Sequence, residues 1–241
     1  MTDREVVDAF VSHLSMDGYP GLRVDRRPDE ENRATPDIDA VAGSFAIEHT
    51  SIDTLLDQRL HNDWFMAAVG NIERELGATP PFHLDVTLKY DAVAKGQDWL
   101  GIRTALKRWL TNEATLLPDG KREVKDLPGI PFTLHIVKSA ERRPGVRIAR
   151  FEPDDNTLSE RIKRGFDRKA AKLAKYEAPG ITTILLVEND DIALMNGPKL
   201  IEAIQTAFPT SPPLGVHQVW YADTSISDAL EFRELTSDIW N

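Results

Sequence analysis

The chain contains no cysteine among its 241 residues. That excludes disulfide bridges, thiolate-held zinc and a cysteine nucleophile. No apolar run approaches the roughly 18 residues a membrane span requires, and the opening MTDREVVDAF has no signal-peptide pattern. A soluble cytoplasmic protein is therefore expected, with no membrane partner. The sequence also lacks a Gly-x-Ser-x-Gly elbow, a P-loop and a Gly-x-Gly-x-x-Gly turn, so acyl transfer and nucleotide chemistry have no anchor. Its six histidines show no His-Glu-x-x-His spacing, which removes that zinc motif. Excess positive charge is missing too. The net charge of −10 argues against a general nucleic-acid coat, because phosphate binding draws on Lys and Arg.

The charge is unevenly spread. Residues 138–176 hold 12 Lys and Arg against 6 Asp and Glu. A basic stretch on an acidic chain fits either a localised polyanion site or a solvated helix rich in salt links. At this length one α/β domain over residues 1–241 could bury roughly 70–75% of its unfolded surface and needs no staple.

Apolar periodicity orders the chain. A helix is expected from Asp3, as its cap, to about residue 16, then a short strand at Leu22–Arg26 and a loop at Pro28–Arg33. A long helix follows over about Thr54–Leu76, then a strand at Phe82–Tyr90 and a helix at Trp99–Leu117. Pro118–Gly120 reads as a loop, and Pro131–Val137 and Gly145–Phe151 read as strands. Thr157 and Glu160 form a capping box that opens a helix to about Tyr176. Ile181–Val187 is a nearly continuous apolar strand, of the kind buried on both faces. A helix at Pro198–Phe208, a strand at Val216–Tyr221 and a tail at Phe232–Trp240 complete the chain. The expected fold is α/β, a mixed central sheet flanked by helices on both faces.

Thr35–Thr50 (TPDIDAVAGSFAIEHT) concentrates the chemistry. Two alternating runs meet at Gly43 and read as a tight hairpin. Asp37 and Asp39 share one face of the first strand, and Glu48 ends the second among apolar residues. Glu is almost never fully buried unless paired, and a hairpin that gathers carboxylates suits a hard divalent cation. His49 faces opposite to Glu48, and its ring reads as structural. On the Thr157–Tyr176 helix, about 100° per residue places Lys169 inside the apolar sector of Ile162, Phe166, Leu173 and Tyr176, with Lys172 at its edge. The Lys169 ammonium either reaches water along its stem or pairs with an anion.

Pro36-Asp37, ten intervening residues and Glu48-His49-Thr50, preceded by Phe45-Ala-Ile47, resemble the PD-(D/E)xK nuclease superfamily. Thr50 stands where the common pattern has lysine. The run Ile162–Tyr176 before the strand at Ile181 is similar to the variant in which the following core helix carries the lysine, here Lys169, with Lys172 the second candidate. The resemblance covers about residues 3–60 and 157–187, with about 80–151 an inserted elaboration of a restriction-endonuclease-like core. It implies hydrolysis of phosphodiester bonds in DNA, or RNA. Asp37, Glu48 and the His49 carbonyl would hold Mg²⁺ or Mn²⁺, with Asp39 as a further ligand or an orienting partner. Lys169 would position or deprotonate the attacking water, or neutralise the scissile phosphate. Arg142, Arg143, Arg147, Arg150 and Arg164, with Arg161 and Lys163, would grip the nucleic-acid backbone. The alternative it allows is a nuclease-derived module that binds nucleic acid or protein without catalysis. Oligomeric state is open, a homodimer included.

Overall fold

The structure, a computed structural model, describes residues 1–31, 35–77, 80–151, 153, 155–190, 195–226 and 229–240. The elements in chain order are α1 (Asp3–Met16), α2 (Pro28–Glu31), β1 (Ala40–Ala42), β2 (Phe45–Ser51), α3 (Gln58–Val69), α4 (Ile72–Leu76) and β3 (His83–Leu88). Next come α5 (Trp99–Thr111), α6 (Glu113–Leu116), β4 (Gly120–Val124), β5 (Leu134–Ser139) and β6 (Gly145–Arg150). Then follow α7 (Leu158–Leu173), a 3₁₀ turn (Ala174–Tyr176), β7 (Thr182–Asn189), α8 (Gly197–Ala207), β8 (Gln218–Asp223), β9 (Glu231–Glu234) and α9 (Thr236–Trp240). Among the described residues no helix is long and apolar enough to cross a membrane.

The strands form two mixed sheets rather than one central sheet with an elaboration, within an α/β protein. The contacts divide the chain into two compact units, Met1–Leu56 with Asp155–Asn241, and Asp57–Asp154. In the first unit the sheet order is β1-β2-β7-β8-β9. β2, β7 and β8 run parallel, and β1 and β9 are antiparallel edges. β7 is central and almost wholly buried, which the run TTILLVEN makes favourable on both faces. Side chains alternate across a strand, so each strand serves two cores. Phe45 and Ile47 face α1, packing with Val7, Phe10 and Leu14. Ala46, Leu185 and Val187 face α7 and α8, packing with Ile162, Phe166, Leu173 and Ile204.

The second unit has its own core. Leu84, Val86 and Leu88 of β3 pack with Ile102, Leu106 and Trp109 of α5 under the sheet β4-β5-β3-β6. An apolar cluster of this size is what makes the segment a sheet of its own rather than a rim on another.

Several local expectations change. Leu22–Arg26 makes only an isolated bridge, Arg26 with Val41, and Pro28–Glu31 is a helical turn; Asn32 and Arg33 of the expected loop lie outside the described residues. The α1 cap is Thr2, which forms a capping box with Glu5. The expected box at Thr157 does not form; Asp155 instead accepts the Thr157 N–H and hydroxyl at 2.8 and 2.7 Å. The long helix after the hairpin begins late and breaks at Gly70–Asn71, where Asn71 has φ 69°. β4 begins at Gly120, the last residue of the expected loop, and occupies residues for which no element was expected.

Candidate metal and phosphate site

The hairpin turns through Gly43 and Ser44, pairing Ala42 with Phe45 and Ala40 with Ile47. Gly43 has φ 53°, a region that costs an L side chain energy and that glycine adopts freely. Continuing this register outward sets Asp39, not Asp37, opposite Glu48. β1 begins at Ala40, so among the described residues the edge of β2 opposite residues before it has no strand partner. There the Asp39 carboxylate accepts the His49 N–H at 2.6 Å. Ile52 N–H donates to Glu188 and the Ser44 carbonyl accepts from Thr182, so even-numbered residues of β2 bond toward β7. The His49 carbonyl, on the same side as its N–H, therefore faces the open edge with Asp39.

Glu48 shares a parity with Ala46 and so faces α7, with no exposed surface. Lys169 Nζ lies 2.5 Å and Lys172 Nζ 2.8 Å from Glu48 Oε1. Lys172 also donates to the Asp37 carbonyl at 2.7 Å. The stems run along the α7 apolar stripe, and each lysine side chain keeps under a fifth of its surface in water. Glu48 Oε2 is buried and accepts no hydrogen bond. Burial and the neighbouring Asp39 charge push the Glu48 carboxyl up to about 7, against the pull of the two lysines. A buried oxygen without a donor costs about 1–3 kcal/mol, which a cation at that oxygen would relieve.

The predicted residues are distributed as follows. Glu48, Lys169 and Lys172 converge. Asp37 contributes its carbonyl to Lys172, while its carboxylate accepts the Ile38 N–H at 2.8 Å and meets Tyr176. Burial and that hydrogen bond raise the Tyr176 phenol. Tyr176 and the opposed Asp39 are the members that sequence reasoning undervalued. Counting outward from Gly43 would have found Asp39. Thr50 shares the strand parity of Glu48 and is half-buried.

The His49 ring lies across the sheet. Its Nε2 is 3.1 Å from Glu188 Oε2, and Glu188 Oε1 accepts the Thr224 hydroxyl at 2.7 Å. Asp3 Oδ1 stands 3.8 Å from His49 Nδ1. Asp3, His49 and Glu188 are a group that could hold a metal, although Glu188 and Thr224 already give the ring a structural anchor.

The expected backbone grips fare differently. Arg142 and Arg147 reach Asp85, at 3.3 and 2.7 Å, in the second unit. The register pairs Asp85 with Arg147 directly. Arg150 bonds Asn62 and the His61 carbonyl and stacks on Phe65 and Tyr90. The Arg143 carbonyl lies 3.2 Å from His83 Nδ1. Arg161 clamps the carbonyls of Asp53 and Thr54 at 2.7 and 2.6 Å and pairs with Asp155, fastening α7 to the chain after β2. Lys163 pairs with Asp167. Arg164 is exposed.

Compared with protein-family models, with curated proteins and with solved structures, the chain matches none.

Proposed function

We propose that this chain is a Mg²⁺- or Mn²⁺-dependent nuclease that hydrolyses phosphodiester bonds of DNA, built on a restriction-endonuclease-like core. The observation that carries this reading is the buried Glu48, whose Oε1 takes two lysines while Oε2 takes no donor. The order α1, β1, β2, α7, β7 supports the fold assignment. The donor set fits a hard cation, which takes oxygen ligands and keeps several waters. Glu48 Oε2, the His49 carbonyl and the carboxylate of Asp39 or Asp37 would hold it. When bound, such a cation activates a water and shields charge developing on phosphorus.

The chain's own groups supply the rest. Lys172, tied to both Asp37 and Glu48, fixes the loop before β1 against β2. Lys169 bonds Glu48 alone among these groups, so its ammonium is the one placed to swing toward a scissile phosphate or to orient the attacking water. The α7 stripe seals the inner wall against solvent, which strengthens each of these interactions.

A specific observation favours the inactive-module reading: both lysines are held on Glu48, and Thr50 adds no cation. The discriminating experiment incubates plasmid, linear duplex, single-stranded DNA and RNA with Mg²⁺ or Mn²⁺. Cleavage that Glu48→Gln and Lys169→Met each reduce by about 100-fold or more, the scale of removing one charge-stabilising group, supports the nuclease. Binding without cleavage supports the module, and equal cleavage by wild type and Glu48→Gln refutes the site.

A further inference from the structure

The helix that brings Lys169 and Lys172 to Glu48 carries a second set of cations. At about 100° per residue, Arg164, Arg168 and Lys175 fall within about 40° of one another on α7 and the turn that ends it. Lys172 lies about 40° round the helix from the edge of this sector and Lys169 about 60° further, so the cations lead from the open flank toward Glu48. All three outer residues are exposed. Among the described residues none of the three has a hydrogen bond or a carboxylate partner, whereas Lys163 on the other flank pairs with Asp167 and lies over the Phe208 ring. The flank is thus an uncompensated cation row on a chain of net charge −10.

From Arg164 to Lys175 the row rises eleven steps, about 16 Å of helix. On B-form DNA that length covers about five phosphates of one strand, enough for each side chain to meet a separate one. Arg164 and Arg168 offer planar forks that suit phosphate oxygens, and Lys175 a point charge. Of the arginines first expected to grip the backbone, Arg164 lies in this row, while Arg142 and Arg147 pair with Asp85 and Arg150 bonds Asn62.

We infer that Arg164, Arg168 and Lys175 form the track along which a nucleic-acid strand lies, feeding its backbone past Lys172 to the Glu48 centre. This rests on the nuclease reading and adds the surface that binds the strand. The three are binding residues, remote from the reacting atoms, so their loss should move substrate affinity and spare the chemical step.

The test compares wild type with the triple variant Arg164→Gln, Arg168→Gln, Lys175→Gln, and with Arg164→Lys, Arg168→Lys as the charge-preserving control. Fluorescence anisotropy in EDTA reads binding of a labelled 20-nucleotide strand and of its duplex from 50 to 200 mM salt. Mg²⁺-dependent cleavage reads KM and kcat, and circular dichroism checks folding. The expected result is a salt slope smaller by about 2 for the single strand, so that the loss of affinity across this range shrinks roughly 15-fold. KM should rise at least tenfold with kcat within twofold, and the lysine control should keep the wild-type slope. A wild type that binds and cleaves beside a triple variant of unchanged slope and KM overturns the track and leaves the nuclease reading standing. A wild type that neither binds nor cleaves overturns both. Capture of a poly-glutamate peptide in place of either oligonucleotide assigns the row to an acidic protein and overturns the proposal.

Discussion

Replacing Glu48 with glutamine should make the protein more stable at pH 8 and nearly neutral in effect at pH 5. Glutamine copies the protonated acid: it keeps an acceptor for Lys169 and Lys172 and carries no charge. In the folded protein burial and the Asp39 charge raise the Glu48 carboxyl from its ordinary 4.5 to about 7. Between those values the folded state binds more protons than the unfolded chain, so stability falls as pH rises and the loss is complete above about 7. At about 1.4 kcal/mol per pH unit, the interval from 4.5 to about 7 comes to roughly 3 kcal/mol. Urea denaturation of wild type and Glu48→Gln at pH 5, 6, 7 and 8 measures it, the difference between the two cancelling every other titrating group. The difference should swing toward the variant by about 3 kcal/mol over this range. Adding Mg²⁺ at pH 8 should then stabilise the wild type and leave the variant unchanged. A variant less stable than wild type at pH 8 would show the opposite, that the two ammonium groups outweigh burial.

Three further outcomes follow from other parts of the chain. Gly215→Ala should cost about 2 kcal/mol or more in denaturant titration, because Gly215 has φ 91° and a Cβ there would meet Ala174 Cβ at 2.8 Å and the Ala170 carbonyl at 2.9 Å; an unchanged midpoint contradicts the seating of α7. Lys138→Met should destabilise the second unit by about 3 kcal/mol, since the buried ammonium serves the carbonyls of Ala114, Thr115 and Leu117 at the end of α6; a thermal melt followed by Trp fluorescence reads it. For Glu188, burial is outweighed by the bonds from His49 and Thr224, which hold its carboxyl below the usual range. Its stabilisation is present above about pH 4.5 and lost as pH falls through the depressed value. Glu188→Gln should therefore flatten the acid limb of the stability curve, and a wild-type acid limb in the variant would contradict the anchor.

The sequence carried the centre of the first unit well. The run from Ile181 to Val187 could be read as a buried parallel strand because apolar residues on both faces leave few other solutions. Glu48 stood out for the same reason, as a carboxylate in an apolar strand, and Lys169 as a cation inside an apolar stripe. Both lysines reach it because α7 lies on the even-numbered face of β2. The misses arise where pairing, not periodicity, decides. β4 (GKREV) is a charged edge strand with little burial, so it shows no apolar alternation to read. Leu22–Arg26 shows the converse, an alternating pattern that gains only one bridge. The roles of Arg142 and Arg147 turn on the register that sets β6 beside Asp85, and residues 62 positions apart give no local sign of it. Asp39 is half visible: its carboxylate is plain on the first strand, but its place opposite Glu48 depends on the two-residue turn at Gly43 and Ser44.

The nuclease centre requires that the free oxygen of Glu48 take a divalent cation. Crystals grown with Mn²⁺, with data collected at the manganese absorption edge, test this directly. One anomalous peak is expected at about 2.0–2.2 Å from Glu48 Oε2, the range of a small divalent ion on oxygen ligands, on the side that Asp39 and the His49 carbonyl face. No peak at Glu48, or a peak only among Asp3, His49 and Glu188, would contradict it.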